Sequence, residues 1–318
     1  MHSPARRTPL LYFPVSPNPE IMIIDPIGDL LSALKAGIPD SSKLPSRARE
    51  EFSALYVEFQ EIEQPKLEQV VIRDGLDGFW ITVPESLPER TVLFLHGGGF
   101  TVGSTRDHIG ICTNLARACR SRVFSVDYRL APEHIFPSAA EDALCAYQYL
   151  IAHGIAPHHI VPIGISAGGT LVIDLLISAR DAKLALPLAA VCLSPLTDMQ
   201  FAGESITRNA ELDWITPARL HAIRTVYLGG KDPGDPLASP VHARLHGLPR
   251  LYIQVGTHEL LLSDVAAFVQ KARWAGSPVQ LELWEGMFHC WQVFSRDVPE
   301  AKRAIEHIGS FVQDSMTR

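Results

Sequence analysis

The sequence predicts an α/β fold in which a mostly parallel central sheet carries helices on both faces, with further helices over one rim. Two observations predict it. Short apolar, β-branched runs alternate with helical periodicity from about residue 90 onward, which is the rhythm of strand, crossover helix and parallel strand. Several runs, such as Thr91–Leu95 and Ala189–Ser194, are apolar apart from one terminal hydroxyl residue, as strands buried on both faces are. A third observation locates the chemistry. Glycine-rich or polar stretches stand directly after these strands, at the end of a parallel sheet where ligands bind. At 318 residues the chain is read as one large domain with insertions.

Taken in order, Arg6-Arg7 and Leu10–Phe13 form a short leader that Pro9, Pro14, Pro17 and Pro19 interrupt. From Ile21 to about Gln60 the pattern is helical. Ile27, Leu30, Leu31 and Leu34 share one face, Gly37-Ile38-Pro39 stops it, and Phe52, Leu55, Tyr56 and Phe59 make a second stripe. These helices are either a layer on the core or a lid over a site. Glu68–Arg73 and Gly78–Val83 flank Asp74-Gly75 and read as an antiparallel edge hairpin.

Thr91–Leu95 is a buried strand ending in His96-Gly97-Gly98-Gly99-Phe100. Three glycines cost backbone entropy, so they suit either a flexible turn or a loop that brings N–H groups close to a ligand oxygen. His96 is expected to shape that turn. Residues 107–120 read as a helix and Val123–Val126 as a strand leading into Asp127–His134. Ser138–Glu141 reads as a capping box opening the next helix.

Residues 159–173 then read strand, tight turn, helix around Gly164-Ile165-Ser166-Ala167-Gly168. Such an elbow holds a serine hydroxyl above the sheet, with free helix N–H groups beside it. After the strand Ala189–Ser194 the rhythm breaks into a helical insert bearing Phe201 and Trp214. Its aromatics either line an acyl pocket, with Phe100 and Trp291, or pack on the core. Leu251–Val255 leads to Gly256-Thr257-His258-Glu259, and Ser263 is expected to cap the following helix. Val279–Trp284 is the last strand, Glu285–His289 the loop beyond it, and Pro299 opens the final helix.

Ser166, Glu259 and His289 thus stand in the order nucleophile, acid, histidine, each beyond a strand of the same sheet. Of 13 histidines only His289 combines a late position with a loop after the last strand. Asp264 is the rival acid, placed where a carboxylate can instead satisfy helix N–H groups. A net charge of -7 argues against nucleic acid and anionic membrane as partners and for a small molecule. The 5 cysteines are scattered and without metal-ligand spacing, which points to a reducing, cytoplasmic compartment. No apolar run approaches the roughly 20 residues a membrane span needs, so a soluble chain is expected.

His96–Phe100, Asp127-Tyr128-Arg129-Leu130-Ala131-Pro132-Glu133 and Gly164–Gly169 together resemble the motifs of hormone-sensitive-lipase-like carboxylesterases of the α/β-hydrolase fold. The resemblance runs from about residue 65 to the end. It implies oxyanion-hole N–H groups from Gly98, Gly99 and Ala167, and glutamate as the triad acid. It further implies a helical cap from 1–62 and 198–228 on a catalytic core of 63–197 and 229–318. The expected activity is hydrolysis of short-to-medium acyl esters through a covalent acyl-enzyme, with no cofactor or metal. A lactone or amide hydrolase, or a receptor on the same fold, are the alternatives, and a homodimer is allowed for. One departure stands out: Ile165 occupies a position that is usually aspartate in the family, so a polar network behind the oxyanion loop is expected to be missing.

Overall fold

The computed structural model describes residues 26–37, 45–59 and 64–316. The leader and the Ile38-Pro39 stop signal lie outside the described residues, as does the amino-terminal part of the 1–62 segment. Strands β1 (Lys66–Arg73), β2 (Leu76–Thr82), β3 (Leu87–Leu95), β4 (Ser121–Asp127), β5 (Ile160–Ile165), β6 (Ala189–Leu193), β7 (Arg250–Gly256) and β8 (Val279–Trp284) form a single sheet. Its order is β1-β2-β4-β3-β5-β6-β7-β8. β1, β2 and β4 pair antiparallel, and every other neighbour pair is parallel.

Burial follows position in that order. β5 and β6 are buried at every residue, whereas the edge strand β1 is mostly exposed. This is why the middle strands read as unbroken apolar runs. The β1–β2 hairpin turns on Asp74-Gly75, with Arg73 opposite Leu76 and Gly75 at φ 75°. A side chain other than glycine would be strained there.

Helices α1 (Pro26–Gly37) and α2 (Pro45–Phe59) precede the sheet. Then follow α3 (Ile109–Ala118), α4 (Ser138–Ala152), α5 (Ala167–Asp181), α6 (Ser205–Arg208), α7 (Pro217–Leu228), α8 (Leu262–Trp274) and α9 (Pro299–Met316). Phe124 stacks on Tyr149 of α4, while its neighbour Ser125 bonds Thr105 just ahead of α3. Successive strand residues point to opposite faces, so α3 and α4 lie on opposite sides of the sheet. α9 packs beside α3, and α5 beside α4.

Two expected caps do not form. Ser138 is already inside α4, whose first turn carries no side-chain cap, and Glu141 N–H bonds Pro137 O instead. Ser263 likewise sits inside α8. Its hydroxyl accepts from Ser205 N–H at 3.2 Å, tying α6 to α8 rather than capping its own helix. No helix among the described residues is long and apolar enough to cross a membrane.

Candidate active site

The serine is presented by its backbone. Ser166 follows β5 directly and adopts φ 54°, ψ -120°, a region that costs a non-glycine residue energy unless its surroundings impose it. They do so by close approach. A Cβ on Gly164 would lie 2.1 Å from Gly168 O, and one on Gly168 would lie 1.9 Å from Leu95 O, so neither position tolerates a side chain. Ser166 N–H donates to Leu193 O at 2.8 Å, and Ser166 O accepts from Gly169 and Thr170 N–H, which locks the elbow between β6 and α5.

The imidazole of His289 bridges the constellation. Its Nε2 is 2.9 Å from Ser166 Oγ and its Nδ1 is 3.0 Å from Glu259 Oε2. An ionised carboxylate only accepts, so the ring carries its proton on Nδ1 and leaves Nε2 free to accept from the serine hydroxyl. The other oxygen of Glu259 accepts from Ser194 Oγ and from Gly256 N–H, both at 2.7 Å. Asp264 stands elsewhere: its carboxylate faces Gly203, and burial raises it to about 6.

Burial also raises Glu259 above its ordinary 4.5, against the pull of His289. For His289 burial works downward, but the neighbouring Cys290 thiol and the Glu259 carboxylate outweigh it and hold the imidazole well above 6.5. Burial pushes the Cys290 thiol up as well, so near neutrality the charge that matters is that of Glu259.

Beside the serine, the loop after β3 turns sharply. Gly98 has φ 116°, and a Cβ there would meet Val102 O at 2.0 Å. Its carbonyl accepts from Thr101 and Val102 N–H. No acceptor among the described residues engages the N–H of Gly98 or Gly99. Ala167, first residue of α5, has no intrahelical partner for its N–H either. These are the three groups expected to bind an oxyanion.

Behind that loop the missing family aspartate is replaced in two ways. Ile165 is buried against Gly97, and the polar work falls to residues that had no assigned role. His108 Nε2 accepts from Gly97 N–H at 3.3 Å, and Tyr128 O–H donates to His96 O at 2.8 Å while stacking on the His96 ring. A polar network is therefore present, built differently. Burial lowers both His96 and His108 to about 4, so they are neutral spacers and His96 shapes the turn. The Asp127–Glu133 run is structural too: Asp127 accepts from Thr105 N–H, Arg129 pairs with Asp142, and Glu133 pairs with Arg49 of α2.

A cavity of about 50 Å³ opens over Ser166 and His289, walled by Gly98, Gly99, Tyr56, Trp214, Leu220 and Ile223 among others. Of the four aromatics expected to shape a pocket, only Trp214 lines it. Phe100 is stacked on Tyr227 at 3.8 Å, Phe201 packs edge-on against His221, and Trp291 is buried beside Trp284. Their rings are consumed by packing, and the missed wall comes from α2 (Phe52, Tyr56) and α7. A second cavity of about 200 Å³ adjoins the first, sharing Val102, Arg219 and Ile223 as walls.

A family model described as alpha/beta hydrolase fold matches residues 92–293. An acetyl-hydrolase of Streptomyces hygroscopicus is 42% identical over 235 residues, covering 74% of this chain and 78% of that protein. An esterase of Acinetobacter venetianus is 35% identical over 224 residues, 70% of this chain and 74% of that protein. Among solved structures, an esterase from the bacterial hormone-sensitive lipase family superposes with a TM-score of 0.87 at 39% identity, over 92% of this chain and 98% of that one.

Proposed function

Because the chain belongs to the hormone-sensitive-lipase-like esterases of the α/β-hydrolase fold, we propose that it hydrolyses short acyl esters of small molecules through Ser166, His289 and Glu259. The observation that carries this reading is the imidazole spanning serine and carboxylate at 2.9 and 3.0 Å.

In this mechanism Ser166 Oγ gives its proton to His289 Nε2 as it attacks the ester carbonyl. Glu259 holds the tautomer and stabilises the imidazolium that forms. The oxyanion is met by the N–H groups of Gly98, Gly99 and Ala167, which are oriented before the charge appears. Collapse of the tetrahedral intermediate breaks the bond to the alcohol, which leaves with the proton from His289. Water then repeats the sequence on the acyl-enzyme and releases the acid. Only neutral imidazole can act as the base, so kcat/KM rises with pH as His289 loses its proton. Its raised value places that limb above 6.5.

We read α1, α2 and the 198–228 segment as a cap over the core. Residues of α2 and of that segment wall the cavity, which supports this division. The small apolar chamber over Ser166, about 50 Å³, supports a short acyl group. The name of the Streptomyces relative, an acetyl-hydrolase, points the same way.

The test is turnover of p-nitrophenyl esters from acetate to octanoate by the wild type and by Ser166→Ala. The expected outcome is a maximum at acetate to butyrate, a steep fall beyond, and loss of at least about 10⁴-fold in kcat for every ester in the variant. Rates climbing through octanoate would overturn the substrate class, and wild-type-like turnover in Ser166→Ala would overturn the mechanism.

A further inference from the structure

The loops that carry the acid and the histidine are held by neither the sheet nor each other alone. One segment of the cap, running from Ser205 to Trp214, bonds the backbone of both through its buried side chains. Ser205 Oγ donates to Leu260 O at 2.5 Å. Asn209 Nδ2 donates to Thr257 O at 3.0 Å and to Glu259 O at 2.8 Å. Asp213 accepts from Leu260 N–H at 2.9 Å through one oxygen and from His289 N–H at 3.0 Å through the other. Trp214 Nε1–H donates to His289 O at 2.7 Å. Both main-chain polar groups of His289 are thus taken by consecutive residues of a segment that also grips Glu259, and Ser205, Asn209 and Asp213 are almost wholly buried.

We propose that Asn209, Asp213 and Trp214 are positioning residues that splint the acid loop to the histidine loop, so that the cap sets the Glu259–His289–Ser166 geometry as well as covering the substrate. This rests on the proposed triad. The chemistry favours a working role over a mere fastening for two reasons. A buried carboxylate that only joined two loops could be replaced by an uncharged acceptor, whereas Asp213 places a second negative charge beside the imidazole, and the His289 charge in turn draws its acidity back against the effect of burial. Trp214 is, in addition, a wall of the reaction cavity, so whatever fills the cavity presses on the residue that holds His289 O. A shift of about 1 Å in such a shuttle costs on the order of 10²-fold in rate.

The titratable groups around His289 are Glu259 on the loop after β7, Asp213 on the cap, and Cys290 beside it in the chain. Tyr56 of α2 and Arg219 of α7 line the same cavity. Removing the Asp213 charge therefore lowers the pH at which His289 gives up its proton, while removing the Trp214 donor does not.

The experiment measures kcat, KM and the pH dependence of kcat/KM on p-nitrophenyl acetate for Asp213→Asn, Trp214→Phe and Ser166→Ala, with circular dichroism to gauge the folded fraction. Expected are a roughly 10- to 100-fold fall in kcat for Asp213→Asn with KM within about threefold, and an acidic limb moved to lower pH. Trp214→Phe is expected to lose about 10-fold in kcat with the limb unmoved. Wild-type kcat and limb in Asp213→Asn, or a kcat loss that only tracks the folded fraction, overturns the proposal. Should Asp213→Asn not fold, Trp214→Phe decides: a kcat fall at constant KM supports the splint and unchanged kcat refutes it. Turnover by Ser166→Ala would sink the triad itself, which distinguishes that failure from this one.

Discussion

The two sides of the candidate site are built by opposite means. The serine side is made of backbone: β5, the elbow and α5 are contiguous, and Gly164 and Gly168 let main chain meet main chain at distances no Cβ would survive. The histidine side is made of side chains reaching in from elsewhere. Ser194 from the end of β6, and Asn209, Asp213 and Trp214 from the 198–228 segment, bond the loops bearing Glu259 and His289. A rigid local turn can fix one hydroxyl. Aligning a carboxylate and an imidazole 30 residues apart in sequence takes cross-links that any one substitution can loosen.

That contrast is sharpened by variants that separate rate from stability. The largest effect is expected on the histidine side from Glu259→Gln, which keeps the shape but removes the charge and the tautomer control. Steady-state kinetics should show kcat down by about 10²- to 10⁴-fold. The sign of the pH effect follows from the raised value of His289. The carboxylate favours the protonated ring, so without it the imidazole deprotonates at lower pH and the limb of kcat/KM moves down. A limb that stays in place would mean Glu259 is not the group that raises His289.

On the serine side Gly168→Ala should act through folding instead. The added methyl would lie 1.9 Å from Leu95 O, a main-chain atom of a buried strand, so β3 and α5 must separate. Thermal or urea unfolding should report a loss of about 2–4 kcal/mol. Unchanged stability would show that the elbow is looser than its contacts imply.

The same contrast explains what could be read from the sequence. The elbow, the glycine loop and the order of Ser166, Glu259 and His289 were legible because each is a local pattern at the end of a strand. The strands and the antiparallel edge followed from the period of the apolar residues and the Asp74-Gly75 turn, whereas the order in which the strands pair is set by tertiary crossovers that no local pattern records. Asp213 was not legible, since its partner lies 76 residues away and nothing in its neighbours announces a buried acceptor. Ser194 could have been found: it stands directly after β6, by the same rule that picked out the other site residues. Composition alone could not say which aromatics face a cavity, and Phe100, Phe201 and Trp291 turned out to be packed against other rings. Nor could a motif gap at Ile165 show that His108 and Tyr128, from α3's entry and the loop after β4, support the glycine loop in its place.

The central claim is that His289 makes Ser166 the atom that takes up the acyl group. It is tested most directly by quenching the enzyme in acid during turnover of p-nitrophenyl acetate and mapping the trapped acetyl group by peptide mass spectrometry. One acetyl per chain, confined to the peptide bearing Ser166 and absent from His289→Ala, is the predicted result. Turnover with the acetyl on another residue, or an equal level of labelling at Ser166 without His289, would contradict it.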